Sequence, residues 1–80
     1  MSYWTYILLD VSETRTYVGQ TSDLEGRLRK HNRDEVRSTK GHGPWRIVHQ
    51  EEFATRGEAM KCEKWFKSRK GREKLRAILG

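Results

Sequence analysis

The chain has 80 residues, of which 34% are hydrophobic, and its 17 lysines and arginines against 11 acidic residues give a formal charge of +6. This length predicts one domain over residues 1–80 with a small core. Eight aromatic side chains (three Trp, three Tyr and two Phe) argue against a disordered chain, and the positive charge points to a polyanionic partner.

The sequence argues against a membrane or secreted protein and against a domain held together by disulfides or zinc. The apolar run over residues 6–9 is far too short for a membrane span or a signal sequence, which need about 20 and about 7–15 apolar residues. Cys62 is the one cysteine, so no internal disulfide forms, and nothing near it has the spacing of zinc ligands. We therefore expect a protein of the reducing cytoplasm.

Two strands are predicted at the N-terminus. Residues 3–9 and 15–20 are rich in aromatic and β-branched side chains, and the polar stretch 10–14 between them is short enough for a hairpin. Tyr6 and Tyr17 would then lie on adjacent strands.

A helix follows the second strand. Ser22 with Glu25 three residues later has the pattern of a capping box, which predicts that the helix begins there. One face carries two apolar and two basic residues within an arc of about 100°, namely Leu24, Leu28, Arg27 and His31. Because burying charges without partners is costly, this face is expected to open onto a polar pocket beside the core.

Residues 33–44 contain two glycines and the only proline, which predicts an irregular loop. The alternation over residues 45–53 predicts a third strand. On a regular strand, Ile47 and His49 would share one face, and Arg46 and Val48 the other.

Two more helices complete the prediction. Thr55 and Glu58 form a second capping box, and Ala59, Cys62 and Phe66 follow as an apolar stripe with Glu63 at its edge. The segment 71–79 repeats apolar residues at helical spacing. The order is β-β-α-β-α-α, an α/β (α+β) fold in which helices cover the faces of a three-stranded sheet.

Five residues suit phosphodiester hydrolysis if the fold collects them: Tyr6, Tyr17, Arg27, His31 and Glu63. An arginine fork fits phosphate oxygens, and one carboxylate suffices for Mg²⁺. A tyrosine is a poor base unless nearby cations favour its phenolate, as the basic surroundings would here.

Each of the five residues also has a purely structural interpretation. The tyrosines fit as strand aromatics, Arg27 as a side chain reaching solvent, and His31 as a hydrogen-bonded helix residue. Glu63 fits as the partner of Lys67 four residues on. These residues alone predict no more than a basic domain that binds polyanions.

The ordered set of motifs resembles the GIY-YIG nuclease superfamily, above all its small stand-alone bacterial members. The matching stretches are Tyr-Ile-Leu at 6–8, Tyr-Val-Gly at 17–19, Asp-Leu-Glu-Gly-Arg-Leu-Arg-Lys-His-Asn at 23–32, and the segments 38–45 and 58–66. At the first motif, Trp4-Thr5-Tyr6 stands where the family has Gly-Ile-Tyr, and the tyrosine is kept.

The resemblance implies a three-stranded antiparallel sheet and DNA cleavage through one divalent metal, Mg²⁺ or Mn²⁺. By position, Tyr6 and Tyr17 match the two motif tyrosines and Arg27 the catalytic arginine. His31 matches a histidine often found one turn later, and Glu63 the metal-binding glutamate.

The resulting hypothesis is a metal-dependent endonuclease that acts on DNA, with RNA as an alternative substrate and a structure-selective role in repair or recombination. Two rivals stay open: a nucleic-acid-binding module that cuts nothing, and a subunit that cuts only with a protein partner. Five basic residues are the predicted nucleic-acid contacts outside the site, namely Lys40, Arg46, Lys61, Lys64 and Lys67.

Overall fold

Three strands and three helices make up the computed structural model, which describes all 80 residues. In chain order they are β1 Tyr3–Asp10, β2 Thr16–Thr21, α1 Leu24–Asn32, β3 Trp45–Phe53, α2 Arg56–Phe66 and α3 Arg69–Leu79. The predicted order β-β-α-β-α-α and the predicted fold class are confirmed. None of the helices has both the length and the apolar character that crossing a membrane requires.

The sheet is antiparallel throughout, and β1 lies at its centre in the order β2-β1-β3. Across the first hairpin, Leu8 pairs with Tyr17 and Tyr6 pairs with Gly19. Since residues two apart on a strand share a face, Tyr6 and Tyr17 lie on the same side of the sheet.

Each face of the sheet is covered by a different helical layer. On one face, the buried residues Tyr6, Leu8 and Trp45 pack against leucines of α1. On the other face, Ile7 and Val18 pack with Phe66 of α2 and with apolar side chains of α3. The two tyrosines are thus on the face that α1 covers.

A β-bulge interrupts the pairing of β1 with β3. Ile7 pairs with His49 while Leu8 pairs with Ile47, which leaves Val48 as the additional residue. Ile47 therefore packs on the α1 face, whereas the His49 ring lies 5.7 Å from that of Phe66 on the opposite face. The prediction that Ile47 and His49 share a face is wrong, because a bulge reverses the alternation of side chains beyond it.

The start of α1 also differs from the prediction. Asp23, not Ser22, is the N-cap, and its Oδ1 accepts a hydrogen bond of 3.1 Å from the backbone N–H of Gly26. Aspartate caps a helix about as well as serine, and the glycine three residues on has no side chain that could complete a capping box. At α2, the predicted box of Thr55 and Glu58 is confirmed.

Helix α3 begins at Arg69, two residues before the predicted start, because Ser68 caps it. The Oγ of Ser68 accepts from the backbone N–H of Gly71 at 3.3 Å. Gly71 is fully packed against the end of α2 at Trp65 and Phe66, and a side chain there would collide with their backbone. This contact sets how closely α3 returns to the body of the domain.

Candidate active site

The aromatic rings of the predicted site meet on the α1 face of the sheet. The ring centroids of Tyr6 and Tyr17 are 6.2 Å apart, and the His31 ring lies 5.8 Å from the first and 4.8 Å from the second. Arg27, one helical turn before His31, lies close enough to both tyrosine hydroxyls for its pKa to be raised by them. The predicted clustering of these four residues is what the structure shows.

Gly19 permits this close approach of the two tyrosines. A Cβ atom at Gly19 would lie 2.6 Å from the Tyr6 hydroxyl oxygen and 2.8 Å from Cε2 of Tyr17. Real Cβ atoms do not come that close to other atoms. The glycine of the Tyr17-Val18-Gly19 segment is therefore required by the packing of the tyrosine rings.

A buried chain of hydrogen bonds runs behind the tyrosines. The Tyr6 hydroxyl is 2.8 Å from Nε2 of His31, and Nδ1 of His31 is 2.8 Å from Oγ1 of Thr39. The hydroxyl of Thr39 donates in turn to the carbonyl of Val36 at 3.3 Å. His31 has no exposed surface, and Thr39 is 1% exposed. Every polar atom of this chain thus has a partner away from water.

These contacts assign the protons. Thr39 has one hydroxyl proton and donates it to Val36, so its oxygen accepts from Nδ1–H of His31. Nε2 is then unprotonated and accepts the proton of Tyr6. Thr39 holds His31 in the tautomer that binds Tyr6. The sequence does not predict this role of Thr39, because residue 39 lies in an irregular loop without periodicity.

The pKa values of both groups agree with this assignment. Burial, and then the charge of Arg27, lowers the pKa of His31 to about 4. Burial raises the pKa of Tyr6 to about 12, although the interaction with Arg27 acts in the opposite direction. The expectation that cations would favour a phenolate is therefore wrong for Tyr6, which is protonated at neutral pH.

The low pKa of His31 predicts a pH-dependent stability. Between its unfolded pKa of about 6.5 and its folded pKa of about 4, the unfolded state binds a proton that the folded state does not. Stability should therefore fall as the pH falls through this window. We expect the melting temperature of the wild type to fall more steeply from pH 6.5 to 4 than that of His31→Gln. Parallel curves would contradict a neutral, buried His31.

Glu63 lies on α2, and its charge is the smallest of the causes that raise the pKa of Tyr6. Its side chain is 24% exposed, and Oε2 accepts a hydrogen bond of 3.1 Å from Nζ of Lys67. Oε1 has no hydrogen-bond partner. The predicted pair with Lys67 thus exists, and it leaves one carboxylate oxygen free.

No group of three or more His, Cys, Asp or Glu side chains is arranged to hold a metal. A closed site of the zinc type uses four protein ligands. The lack of such a group does not conflict with Mg²⁺ or Mn²⁺, because such ions are often bound by one or two carboxylates, with water and substrate phosphate as the other ligands. Glu63, a partly buried carboxylate that already attracts a cation, fits this kind of site.

The predicted nucleic-acid contacts are spread over several elements. Lys40 lies in the loop before β3, and Arg46 on β3 is 3.9 Å from Glu13. Lys61 and Lys64 are exposed on α2. Lys67 lines a groove that also reaches Tyr17, together with Arg72 and Arg76 of α3. The two arginines were not predicted, although their helical spacing beside the apolar stripe of α3 was a signal for them.

Comparison with known proteins identifies the family of this chain. Residues 2–76 match the GIY-YIG catalytic domain family. The UPF0213 protein YsiG of Lactococcus lactis is 36% identical over 78 residues, which cover 96% of this chain and 74% of that protein. A UPF0213 protein of Staphylococcus aureus is also 36% identical over 78 residues, covering 96% and 94%.

A solved structure has the same fold. The solution NMR structure of a UPF0213 protein from Bacillus halodurans matches with a TM-score of 0.56 at 33% identity, covering 98% of this chain and 85% of that one. The family match extends over nearly the whole chain, including all five residues of the candidate site. The chain therefore belongs to the GIY-YIG catalytic domain family, alongside small bacterial UPF0213 proteins.

Proposed function

We propose that this protein is a divalent-metal-dependent endonuclease that hydrolyses phosphodiester bonds in DNA. The observation that carries the proposal is the meeting of the Tyr6 and Tyr17 rings, 6.2 Å apart, with Arg27, whose pKa both hydroxyls raise. Glu63 of α2 keeps one carboxylate oxygen without a hydrogen-bond partner. These groups come from β1, β2, α1 and α2, and the proposal gives each of them a role in phosphate chemistry. Membership of a catalytic-domain family supports the same conclusion.

Arg27 would bind the phosphate that is cleaved. Its side chain is only partly buried, and no carboxylate lies within 4.0 Å of it. An unpaired guanidinium offers its fork of donors to two phosphate oxygens. Charge that develops on those oxygens during the reaction is stabilised where it forms.

Tyr17 is the tyrosine that would contact the attacking water. Tyr6 is 2% exposed, and its proton is directed at His31, whereas Tyr17 is partly exposed and lines a groove between β2 and α3. Arg27 lies close to the Tyr17 hydroxyl, which helps to raise the pKa of the guanidinium. The Tyr17 oxygen would pass its own proton to solvent through the groove as it takes one proton from the attacking water. The water oxygen bonds to phosphorus, the bond from phosphorus to the leaving oxygen breaks, and the leaving oxygen takes a proton from solvent.

Tyr6 and His31 hold this arrangement in place. His31 is neutral and accepts the Tyr6 proton, so Tyr6 cannot turn away without losing a buried hydrogen bond. Glu63 would hold Mg²⁺ or Mn²⁺. Such an ion, when bound, stabilises charge on the phosphate and on the leaving oxygen.

A panel of labelled nucleic acids tests the proposal. Duplex, nicked, branched and single-stranded DNA, with RNA beside them, are incubated with Mg²⁺ or Mn²⁺ and with chelator. We expect cleavage of DNA with metal and none with chelator. Preference for nicked or branched DNA over plain duplex would support a structure-selective role in repair or recombination.

Tyr17→Phe tests the role of the Tyr17 hydroxyl, because it removes the hydroxyl and keeps the ring. We expect cleavage to fall by about 10²- to 10⁴-fold, the usual effect of losing a general base. The melting temperature should change little because Tyr17 is partly exposed, whereas a buried structural hydrogen bond would cost about 1 kcal/mol. Tyr3→Phe, at a tyrosine beside Arg56 and outside the site, serves as the control.

The rival functions give different results in these assays. A wild type that binds DNA but leaves every substrate uncut at all metal concentrations contradicts the proposal, and points to a binding module or a partner-dependent subunit. Cleavage retained in Tyr17→Phe with a lowered melting temperature refutes the role given to this hydroxyl.

A further inference from the structure

A groove of about 550 Å³ lies between β2 and α3, on the side of the molecule where Tyr17 is accessible. Tyr17 and Val18 form its β2 wall, and Leu75 of α3 contributes to its apolar floor. The rim carries Lys67, Arg72 and Arg76. Tyr17 is the residue that the groove shares with the candidate site.

The basic rim extends further along α3. Arg69, Arg72 and Arg76 are spaced three and four residues apart, so they form one stripe on the helix surface. With Lys67 they line a second cavity of about 580 Å³, in which Glu73 is the one acidic residue. Two cavities that share Lys67, Arg72 and Arg76 thus make a single basic channel.

The arginines of this stripe are not neutralised within the protein. No carboxylate oxygen lies within 4.0 Å of Arg69, Arg72 or Arg76. This holds even though Glu73 lies four residues after Arg69 and three before Arg76, spacings at which helix residues can form ion pairs. All three arginines are exposed. A structural role would pair them with neighbouring carboxylates, as Lys67 pairs with Glu63, so their charge is available to a ligand.

We propose that this channel, through the unpaired Arg69, Arg72 and Arg76 of α3 facing β2, holds the backbone phosphates of the DNA strand that enters the site past Tyr17. From Arg69 to Arg76 the helix rises about 10 Å, close to the axial rise of three nucleotides at about 3.4 Å each. The apolar floor beside the rim suits the sugars. The direction of the strand towards Tyr17 rests on the proposed function, whereas the binding of DNA to α3 does not.

The inference is tested by fluorescence anisotropy with a short labelled DNA duplex, in chelator and over a range of salt concentrations. Arg72→Gln/Arg76→Gln should bind at least about tenfold more weakly than the wild type at moderate salt. The slope of log affinity against log salt should fall by about 1.8, since each lost phosphate contact removes about 0.9. Arg72→Lys/Arg76→Lys keeps both charges and should keep most of the slope.

Arg33→Gln/Arg37→Gln is the matched control, since it removes the same charge from exposed arginines of the loop after α1. An equal loss of affinity in this control, or an unchanged slope in the α3 variant, would overturn the inference. NMR titration of the wild type with the same DNA gives a second measurement that needs no variant. Shifts should concentrate at residues 67–76, and shifts confined to other elements would also overturn it.

Failure of this inference is distinguishable from failure of the nuclease proposal. Binding is measured in chelator, where no metal-dependent cleavage occurs. If the wild type cuts DNA but binds it without α3, only the proposed DNA-binding channel is contradicted. If the wild type binds DNA through α3 but never cuts it, only the proposed nuclease activity is contradicted.

Discussion

Glu63→Gln is expected to abolish metal-dependent cleavage while DNA binding persists. Glutamine keeps the size of the side chain and removes the charge that would attract Mg²⁺, so cleavage should fall by at least about 10²-fold, the usual cost of losing one charge-stabilising group. The pair with Lys67 is a partly exposed i,i+4 pair, worth at most about 0.5 kcal/mol. The variant should therefore fold and melt almost as the wild type does.

DNA binding by Glu63→Gln should be unchanged or tighter. The substitution removes one negative charge near the bound phosphates, and it releases Lys67, which lines the groove beside Tyr17. Glu35→Gln, at an exposed residue outside the site, removes the same charge and should leave cleavage intact.

Mn²⁺ binding gives a readout of Glu63 that does not depend on activity. Paramagnetic broadening of NMR signals near Glu63 should appear in the wild type with Mn²⁺ and disappear in Glu63→Gln. Cleavage that survives both chelator and Glu63→Gln would overturn the assignment of the metal to this carboxylate.

The clustering of Arg27 and His31 against the tyrosines was predictable from the sequence. Helical periodicity places both on one face of α1, and the short hairpin makes Tyr6 and Tyr17 neighbours. Both signals are local, because they depend on spacings of three to about eleven residues. That is why the element order and the clustering of these four side chains could be predicted from the sequence.

The features that could not be predicted depend on contacts between distant residues or on burial. The bulge at Val48 arises from the pairing of β3 with β1, which no local pattern of β3 reveals. Thr39 acquires its role because the loop after α1 folds back over His31. For Tyr6, the overall positive charge suggested a phenolate, but burial of the hydroxyl dominates. Most charges of the chain are exposed, and solvent screens them over about 10 Å.

Gly19→Ala is expected to lower both stability and cleavage. The added methyl group would overlap the Tyr6 hydroxyl at 2.6 Å and the Tyr17 ring at 2.8 Å. Tyr6 is 2% exposed and bound to His31 at 2.8 Å, so its ring cannot move without leaving a buried imidazole nitrogen unsatisfied. Overpacking and the lost hydrogen bond each cost about 1–3 kcal/mol.

A loss of that size should lower the melting temperature by about 10 °C or more in a domain of this length. Gly57→Ala is the matched control, because Gly57 lies in α2 and a Cβ atom there meets nothing within 4 Å. In a helix, this control should be neutral or stabilising by up to about 1 kcal/mol. Thermal melts of both variants, with cleavage assays at a temperature where both are folded, decide the matter. If Gly19→Ala melts and cuts like the wild type, the two tyrosine rings can separate freely, and the close packing around Tyr6 is not what positions the site.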